Sequence, residues 1–166
     1  LTLLRRLGIR NLGRTAEHYG LSLILGGAEA SLEDLTNVYA GLSRELNRYA
    51  ADGRYDAQSL RPLQLVGGNE VQAGKGREEA DLLSAASVWF AYSAMNEVGR
   101  PDEEAGWKHF GSSGKVAWKT GTSFGYRDGW AIGTSARYAV GVWAGNADGE
   151  GRPGLTGIAA AAPVLF

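Results

Sequence analysis

The sequence predicts an α+β domain in which helices pack on an antiparallel sheet. One change in the spacing of apolar residues and one compositional run support this class. Up to about residue 98 apolar residues recur every three or four positions, as in amphipathic helices, and after Gly114 they alternate, as in strands. An alanine-rich run over residues 156–166 then predicts a closing helix. Helices followed by consecutive strands and a last helix favour helices on one face of the sheet.

The first half of the chain is predicted to be mainly helical. Four helices are predicted, over residues 1–7 and 13–19, from residue 31 onward, and over residues 78–98. The third has the clearest start, because Ser31 can cap it and Asp34 lies in its first turn. Residues 51–78 are predicted to form glycine-containing turns around short extended pieces. The apolar residues of the fourth helix are expected in the core: Leu82, Leu83, Ala86, Trp89, Phe90 and Met95.

Three strands are predicted in the second half, over residues 115–120, 129–133 and 138–144. They follow one another without a helix between them, which favours an antiparallel meander. We expect the first two strands to be joined around Arg127-Asp128-Gly129, because an Asp-Gly pair favours a tight turn. The closing helix contains Pro163, which is expected to kink it or to end it early.

Composition and charge narrow the possible functions. The 17 Lys and Arg residues nearly balance the 18 Asp and Glu residues, so no net field attracts nucleic acid or an anionic membrane surface. Cysteine is absent and the two histidines are His18 and His109, which excludes a thiol nucleophile and disfavours a metal centre. The sequence therefore predicts no metal, no cofactor and no nucleic-acid partner.

The segment Lys119-Thr120-Gly121-Thr122-Ser123 ends the first predicted strand and carries the clearest chemistry. A serine that attacks a peptide ending in a carboxylate needs a nearby cation, hydroxyl groups and a backbone N–H for the developing oxyanion. Lys119, the two threonines and the N–H of Thr122 can supply these groups. Gly121 leaves room for an extended substrate against the strand edge. From the residues alone, a polar strand end with a solvated Lys119 is an equally good interpretation.

Motifs along nearly the whole chain resemble, in order, the class A bifunctional penicillin-binding proteins, and among these the 1C type. Residues 25–42 resemble the helix that follows the second active-site motif of the family. Lys119 to Gly121 is the family's Lys-Thr-Gly motif, and residues 127–133, 140–146 and 157–166 resemble the last strands and final helix. The resemblance implies a β-lactamase/transpeptidase-like fold, with residues 1–166 as the C-terminal part of a penicillin-binding transpeptidase domain.

The resemblance also implies a function for the parent protein. Such a protein synthesises peptidoglycan with a glycosyltransferase domain and a serine D,D-transpeptidase domain, which acts on stem peptides ending in D-alanyl-D-alanine and is acylated by β-lactams. It lies on the periplasmic side of the bacterial cytoplasmic membrane, held by an N-terminal anchor outside this chain. On this basis we expect Lys119 and Thr122 to be catalytic residues. We also expect the substrate to be contacted by Thr120, Gly121, Thr122 and Ser123.

The family's other two motifs, Ser-x-x-Lys and Ser-x-Asn, are not credibly present. The string Ser112 to Lys115 lies in a turn where Gly111 and Gly114 disfavour the helix that the first motif needs. We therefore expect the nucleophile region and the glycosyltransferase domain to lie outside this chain, and the chain alone to be inactive. Part of a domain exposes core surface, so self-association of the chain is also expected.

Other interpretations of the same residues remain open. The chain can be a noncatalytic module that recognises D-alanyl peptides or β-lactams through the Lys-Thr-Gly segment. A phosphate-binding loop at residues 111–115 or 74–76 fits poorly, since neither has the spacing of Gly-x-x-x-x-Gly-Lys-Ser/Thr. Several tryptophans can stack on sugars, although core packing is favoured for all of them: Trp107, Trp118, Trp130 and Trp143.

Overall fold

A computed structural model describes residues 1–55, 59–60, 82–101, 106 and 114–166 of the chain. Its helices are α1 (Thr2–Leu7), α2 (Ala16–Tyr19), a 3₁₀ segment (Gly20–Leu25), α3 (Leu32–Asp52) and α4 (Ala85–Asn96). Its strands are β1 (Ala117–Thr122), β2 (Asp128–Thr134) and β3 (Ala139–Gly145). A closing helix is π-helical over Gly157–Ala161 and α-helical over Ala162–Leu165, a segment labelled α5. The predicted α+β class is confirmed, while most of the turns predicted over residues 51–78 lie outside the described residues.

Helix α3 begins as the sequence predicts. Ser31 is extended, and its Oγ accepts a hydrogen bond of 3.0 Å from the backbone N–H of Asp34. The carboxylate of Asp34 is buried, and it accepts hydrogen bonds from the backbone N–H and the guanidinium of Arg10. The start of α3 therefore holds the N-terminal segment in place. The helix ends at Gly53, whose φ of +69° suits a residue without a side chain.

Helix α4 is shorter than the predicted helix over residues 78–98. It begins at Ala85, because Ser84 caps it by accepting a hydrogen bond from the N–H of Ser87. Leu82 and Leu83 come before the helix and pack, half-buried, against the N-terminal core. The last helical residue is Asn96, so the C-terminal boundary was close to its predicted position.

The buried face of α4 also differs from the predicted one. Ala85, Val88 and Tyr92 are buried, whereas Trp89 and Phe90 are exposed. Ala86 is exposed as well, so the predicted core positions were wrong for these three residues. Helix α4 is apolar nearly all the way round, and the period of its sequence therefore could not select one face. Packing against Ala117 of β1 and against α3 selects the face instead.

The three strands form the predicted antiparallel meander, in the order β1-β2-β3. The first hairpin differs from the prediction, because Asp128 and Gly129 already belong to β2. The loop is instead residues 123–127, with φ values of +76° at Gly125 and +57° at Tyr126. Gly129 is buried next to Leu155 and Thr156 before the closing helix, and this contact requires a small residue in the strand.

Helices cover both faces of the sheet rather than the single face predicted. On one face Trp118 and Ala131 pack against Ala161 and Ala162 of the closing helix. On the other face α3 and α4 contact the strands, and a Cβ at Gly141 would collide with Thr36 of α3. The closing helix changes from π to α at Ala162, one residue before Pro163. In the described part of the chain no helix is both long and apolar enough to cross a membrane.

A network of buried hydroxyl groups joins α3, α4 and β2. The hydroxyl of Tyr92 donates to the backbone oxygen of Tyr39 at 2.8 Å and accepts from Ser43 Oγ at 3.2 Å. Ser43 Oγ also forms a hydrogen bond with Thr134 Oγ1. Burial raises the pKa of Tyr92 to about 12, so its hydroxyl keeps its proton at neutral pH. This network fixes the distance between the two helices and the end of the sheet.

Candidate functional site

The Lys-Thr-Gly segment lies on the outer edge of the sheet. Among the described strands β1 pairs with β2 alone, so the other side of β1 is an open edge. The N–H of Ser123 donates to the backbone oxygen of Asp128 at 3.0 Å, which continues the ladder between the two strands. In an antiparallel strand the backbone N–H and C=O groups of successive residues point alternately to the two neighbouring sides. The backbone groups of Gly121 therefore point toward β2, and those of Thr120 and Thr122 point away from it. The N–H of Thr122 and the C=O of Thr120 therefore point to the open edge.

Lys119 reaches the same edge with its side chain. It is exposed, and its ammonium group donates a hydrogen bond of 2.6 Å to the backbone oxygen of Thr120. Lys119 and Gly121 share one face of the strand, and Thr120 and Thr122 share the other, as the alternation of side chains requires. The edge is thus the place where the ammonium group of Lys119 and the outward N–H of Thr122 meet, while the side chains of Thr120 and Thr122 lie on the face of the closing helix.

Thr122 also connects the motif to the closing helix. Its Oγ1 accepts a hydrogen bond of 3.0 Å from the backbone N–H of Gly157, the first residue of that helix. A Cβ at Gly157 would collide with the backbone oxygens of Gly121 and Trp130. The closing helix therefore begins directly against the backbone of the motif. The hydroxyl proton of Thr122 remains available for a ligand, because Oγ1 acts as the acceptor in this bond.

Ser123 closes the hairpin that follows the motif. Its Oγ accepts a hydrogen bond of 2.9 Å from the N–H of Asp128, and its backbone oxygen accepts one of 3.2 Å from Tyr126. The loop is held from outside by the N–H of Arg152, which donates to the backbone oxygen of Tyr126 at 3.0 Å. These bonds fix the end of β1, and the substrate contact expected of Ser123 stays a prediction.

A pair of tryptophans beside the motif was missed as a feature of the site. Trp130 lies opposite Gly121 on β2, and a Cβ on Gly121 would be 3.6 Å from the Cβ of Trp130. Trp130 in turn pairs with Trp143, whose indole N–H donates to the carboxylate of Asp128 at 2.9 Å. The face that Lys119 and Gly121 share is therefore bordered by aromatic rings. Strand alternation combined with the hairpin register could have revealed this neighbour.

The other residues singled out in the sequence divide into several groups. Core packing is right for Trp118, which is 1% exposed, and wrong for Trp143, which is 38% exposed. Trp107 and His109 lie outside the described residues, as do the serines of the Ser112 to Lys115 string. The described parts of the chain hold no group of three His, Asp or Glu side chains that could bind a metal ion.

Comparison with known proteins places these motifs in a family context. No protein-family model matches the chain, and no solved structure matches it. Penicillin-binding protein 1C of Escherichia coli (strain K12) is 37% identical over 145 residues, which are 87% of this chain and 16% of that protein. The chain thus spans about one sixth of the length of this curated relative. The resemblance to class A penicillin-binding proteins is confirmed as a partial match, and the chain is similar along most of its length to one segment of penicillin-binding protein 1C.

Proposed function

We propose that this chain forms one wall of a serine D,D-transpeptidase site in a penicillin-binding protein that synthesises peptidoglycan. In this proposal the chain is the C-terminal part of a domain with the β-lactamase/transpeptidase fold. The proposal is carried by one observation, the convergence of the Lys119 ammonium and the Thr122 N–H on the open edge of β1. The similarity to penicillin-binding protein 1C supports the same assignment.

The open edge suits a peptide that binds in an extended conformation. A peptide can add to a strand edge through main-chain hydrogen bonds, and Thr120 C=O and Thr122 N–H are directed to receive it. Gly121 carries no side chain that would hinder such a strand. The aromatic pair Trp130 and Trp143 limits the space beside the motif on the Lys119 face. Stem peptides of peptidoglycan and β-lactams are the proposed ligands.

Each group at the edge has a part in the proposed acyl transfer. A serine oxygen from another part of the parent protein attacks the carbonyl carbon before the terminal D-alanine and gives up its proton to a base. The Thr122 N–H stabilises the negative charge that develops on the carbonyl oxygen. The peptide bond then breaks, and D-alanine leaves with a proton while the acyl group stays on the serine. Lys119 holds the terminal carboxylate, assisted by the hydroxyls of Thr120 and Thr122.

The remaining features of the parent protein belong to the same proposal. A glycosyltransferase domain and an N-terminal membrane anchor lie elsewhere in it, and the transpeptidase domain faces the periplasm. The chain by itself lacks a nucleophile for the reaction and is inactive.

Acylation by a fluorescent penicillin tests the proposal in the parent protein. Replacing Lys119 by Ala removes a charge-assisted hydrogen bond of about 1.5–3 kcal/mol, so acylation should slow by about 10- to 100-fold. The matched control is Arg54→Ala, which removes an exposed cation beyond the end of α3. Equal acylation rates for Lys119→Ala and the control would refute the role of Lys119. A covalent penicillin adduct on the isolated chain would refute the claim that it is inactive alone.

A noncatalytic recognition module is the second candidate. It is favoured by the fact that the Lys119 ammonium group and the Thr122 N–H meet at the edge, where they can hold a carboxylate without the serine nucleophile of the first candidate. This candidate predicts weak, saturable binding of a D-alanyl-D-alanine peptide to the isolated chain, and loss of that binding in Lys119→Ala. Calorimetric titration of the chain and the variant distinguishes the two candidates.

A further inference from the structure

A groove of about 570 Å³ lies at the end of the sheet opposite the Lys-Thr-Gly motif. Its walls come from one face each of α3 and α4, from the start of β1 and from the turn between β2 and β3: Ser43, Leu46 and Asn47; Trp89, Tyr92, Ser93 and Asn96; Gly114, Lys115 and Ala117; and residues 134–138. With about 3.3 Å per strand residue, Ala117 in the groove lies roughly 7 Å from Lys119 and roughly 17 Å from Thr122. None of residues 119–123 is among the described residues that line the groove, so the groove adjoins the proposed acyl-transfer edge but is not part of it.

The groove has a fixed floor and a fixed side. The hydroxyls of Ser43, Tyr92 and Thr134 bond to one another at the floor. At the side, the amide of Asn47 donates to the backbone oxygen of Ala136 at 2.8 Å and so ties the turn to α3. These polar groups satisfy one another, so the floor is formed before any ligand arrives.

The rim, in contrast, carries groups with no described role in the fold. Trp89 is 54% exposed and Tyr138 is 73% exposed, so two aromatic rings flank the opening. Lys115 and Arg137, both exposed, add two cations. None of the described residues that line the groove is Asp or Glu, so the two positive charges have no counter-charge there.

This combination defines the chemistry of a ligand. Flat aromatic faces suit rings that are apolar on their faces and polar at their edges, as sugar rings are. Arg and Lys recognise carboxylates, and Arg137 can do so with two parallel hydrogen bonds. The amide of Asn96 lines the same groove and can bond to sugar hydroxyl or acetamido groups.

We propose that the groove binds an acidic saccharide, namely a stretch of glycan whose sugars carry free carboxylates. The charge and the aromatic rings of the rim support this class of ligand by themselves. The identity of the polymer, the glycan of peptidoglycan, rests on the proposed function. The groove would hold a peptide-free stretch of that glycan beside the edge at which peptides carried by other sugars of the strand react.

Titration of the ¹⁵N-labelled isolated chain with a peptide-free glycan tetrasaccharide tests the proposal by NMR. Its sugars alternate N-acetylglucosamine with N-acetylmuramic acid that bears a free lactyl carboxylate. We expect saturable shifts of the Trp89 indole N–H, weaker binding at high salt, and at least tenfold weaker binding of chitotetraose, the neutral analogue. Trp89→Ala and Arg137→Gln should each weaken binding about tenfold.

Matched control variants separate the groove from the rest of the surface. Phe90→Ala removes the exposed ring next to Trp89 that does not line the groove, and Arg127→Gln removes an exposed cation at the opposite end of the sheet. Both should bind the glycan as the unaltered chain does. Thermal melting checks that all four variants are folded, which is expected because each replaced side chain is exposed.

Three results would overturn the proposal: no saturable shift, equal binding of chitotetraose, or losses in the control variants as large as those in the groove variants. Saturation of the groove by a D-alanyl-D-alanine peptide would also overturn it. Acylation of the parent by penicillin reports on the transpeptidase edge alone, because penicillin carries no sugar. Loss of acylation with intact glycan binding would therefore refute the proposed function and leave the groove assignment standing.

Discussion

Replacing Gly157 by Ala should separate the closing helix from the Lys-Thr-Gly strand. No positive φ is involved at this position, so the effect comes from space alone. The added methyl group would collide with the backbone oxygens of Gly121 and Trp130, and it would lie 3.1 Å from the nitrogen of Gly121. Because these atoms are backbone atoms of two paired strands, they cannot rotate away. The start of the helix must move instead.

The expected destabilisation follows from two contributions. Overpacking of a tight contact costs about 1–3 kcal/mol, and loss of the hydrogen bond from Gly157 to Thr122 costs about 0.5–1.5 kcal/mol. The sum is about 1.5–4.5 kcal/mol. For a chain of this size each kcal/mol lowers the melting temperature by about 2–4 °C, so we expect a decrease of about 3–18 °C. The shift should also increase hydrogen exchange at the amides of residues 119–122.

Thermal melting followed by circular dichroism measures the first effect, and hydrogen exchange followed by NMR measures the second. The matched control is Gly13→Ala, because nothing lies within 4 Å of a Cβ at Gly13 and its φ is not positive. A second variant, Thr122→Val, removes the acceptor of the hydrogen bond without adding bulk at the helix. The reasoning is refuted if Gly157→Ala and Gly13→Ala have the same melting temperature, or if hydrogen exchange at the amides of β1 is unchanged in Gly157→Ala.

Two further predictions concern buried polar groups. The pKa of Tyr92 is about 12 in the folded chain and near 10 when unfolded, so its contribution to stability is complete below pH 10 and is lost as the pH rises to 12. Chemical denaturation should show an alkaline loss that is about 2–3 kcal/mol larger in the unaltered chain and in Tyr49→Phe than in Tyr92→Phe, where Tyr39, whose pKa burial also raises, still contributes. Asp34→Ala should lower the melting temperature clearly, since Asp34 is buried and binds Arg10 through its backbone and side chain, whereas the exposed neighbour Glu33→Ala should lower it little. Equal melting of the two variants would contradict the second prediction.

Local chemistry made part of the fold predictable from the sequence. The Ser31 cap and the three strands depend on residues that are neighbours in the chain, and they occur within one or two residues of the predicted positions. The face of α4 was not predictable, because Trp89 and Val88 are both apolar and only contact with β1 and α3 selects between them. The first turn was misplaced for a similar reason. Gly129 looks like a turn residue in the sequence, and its contact with Thr156 is visible only in the folded chain.

The candidate site shows the same limit. Sequence identified the residues of the motif and their two faces, but it could not show which backbone groups point to the open edge. The phase of the ladder is set by the hairpin, where Ser123 and Asp128 bond through both backbone and side-chain atoms. One residue more in that loop would turn the Thr122 N–H toward β2 and remove it from the edge.

The edge geometry also gives Lys119 a defined change of partner on substrate binding. Its ammonium group donates a hydrogen bond to the backbone oxygen of Thr120, and an added peptide strand would need that same oxygen as an acceptor. A peptide that bonds to both Thr120 and Thr122 must therefore displace the ammonium group, which then requires a new anionic or polar acceptor. The terminal carboxylate of the proposed substrate can supply that acceptor. Peptides without this carboxylate should bind less well, because the displaced ammonium group of the exposed Lys119 would return to water and gain no charge-assisted hydrogen bond to the ligand.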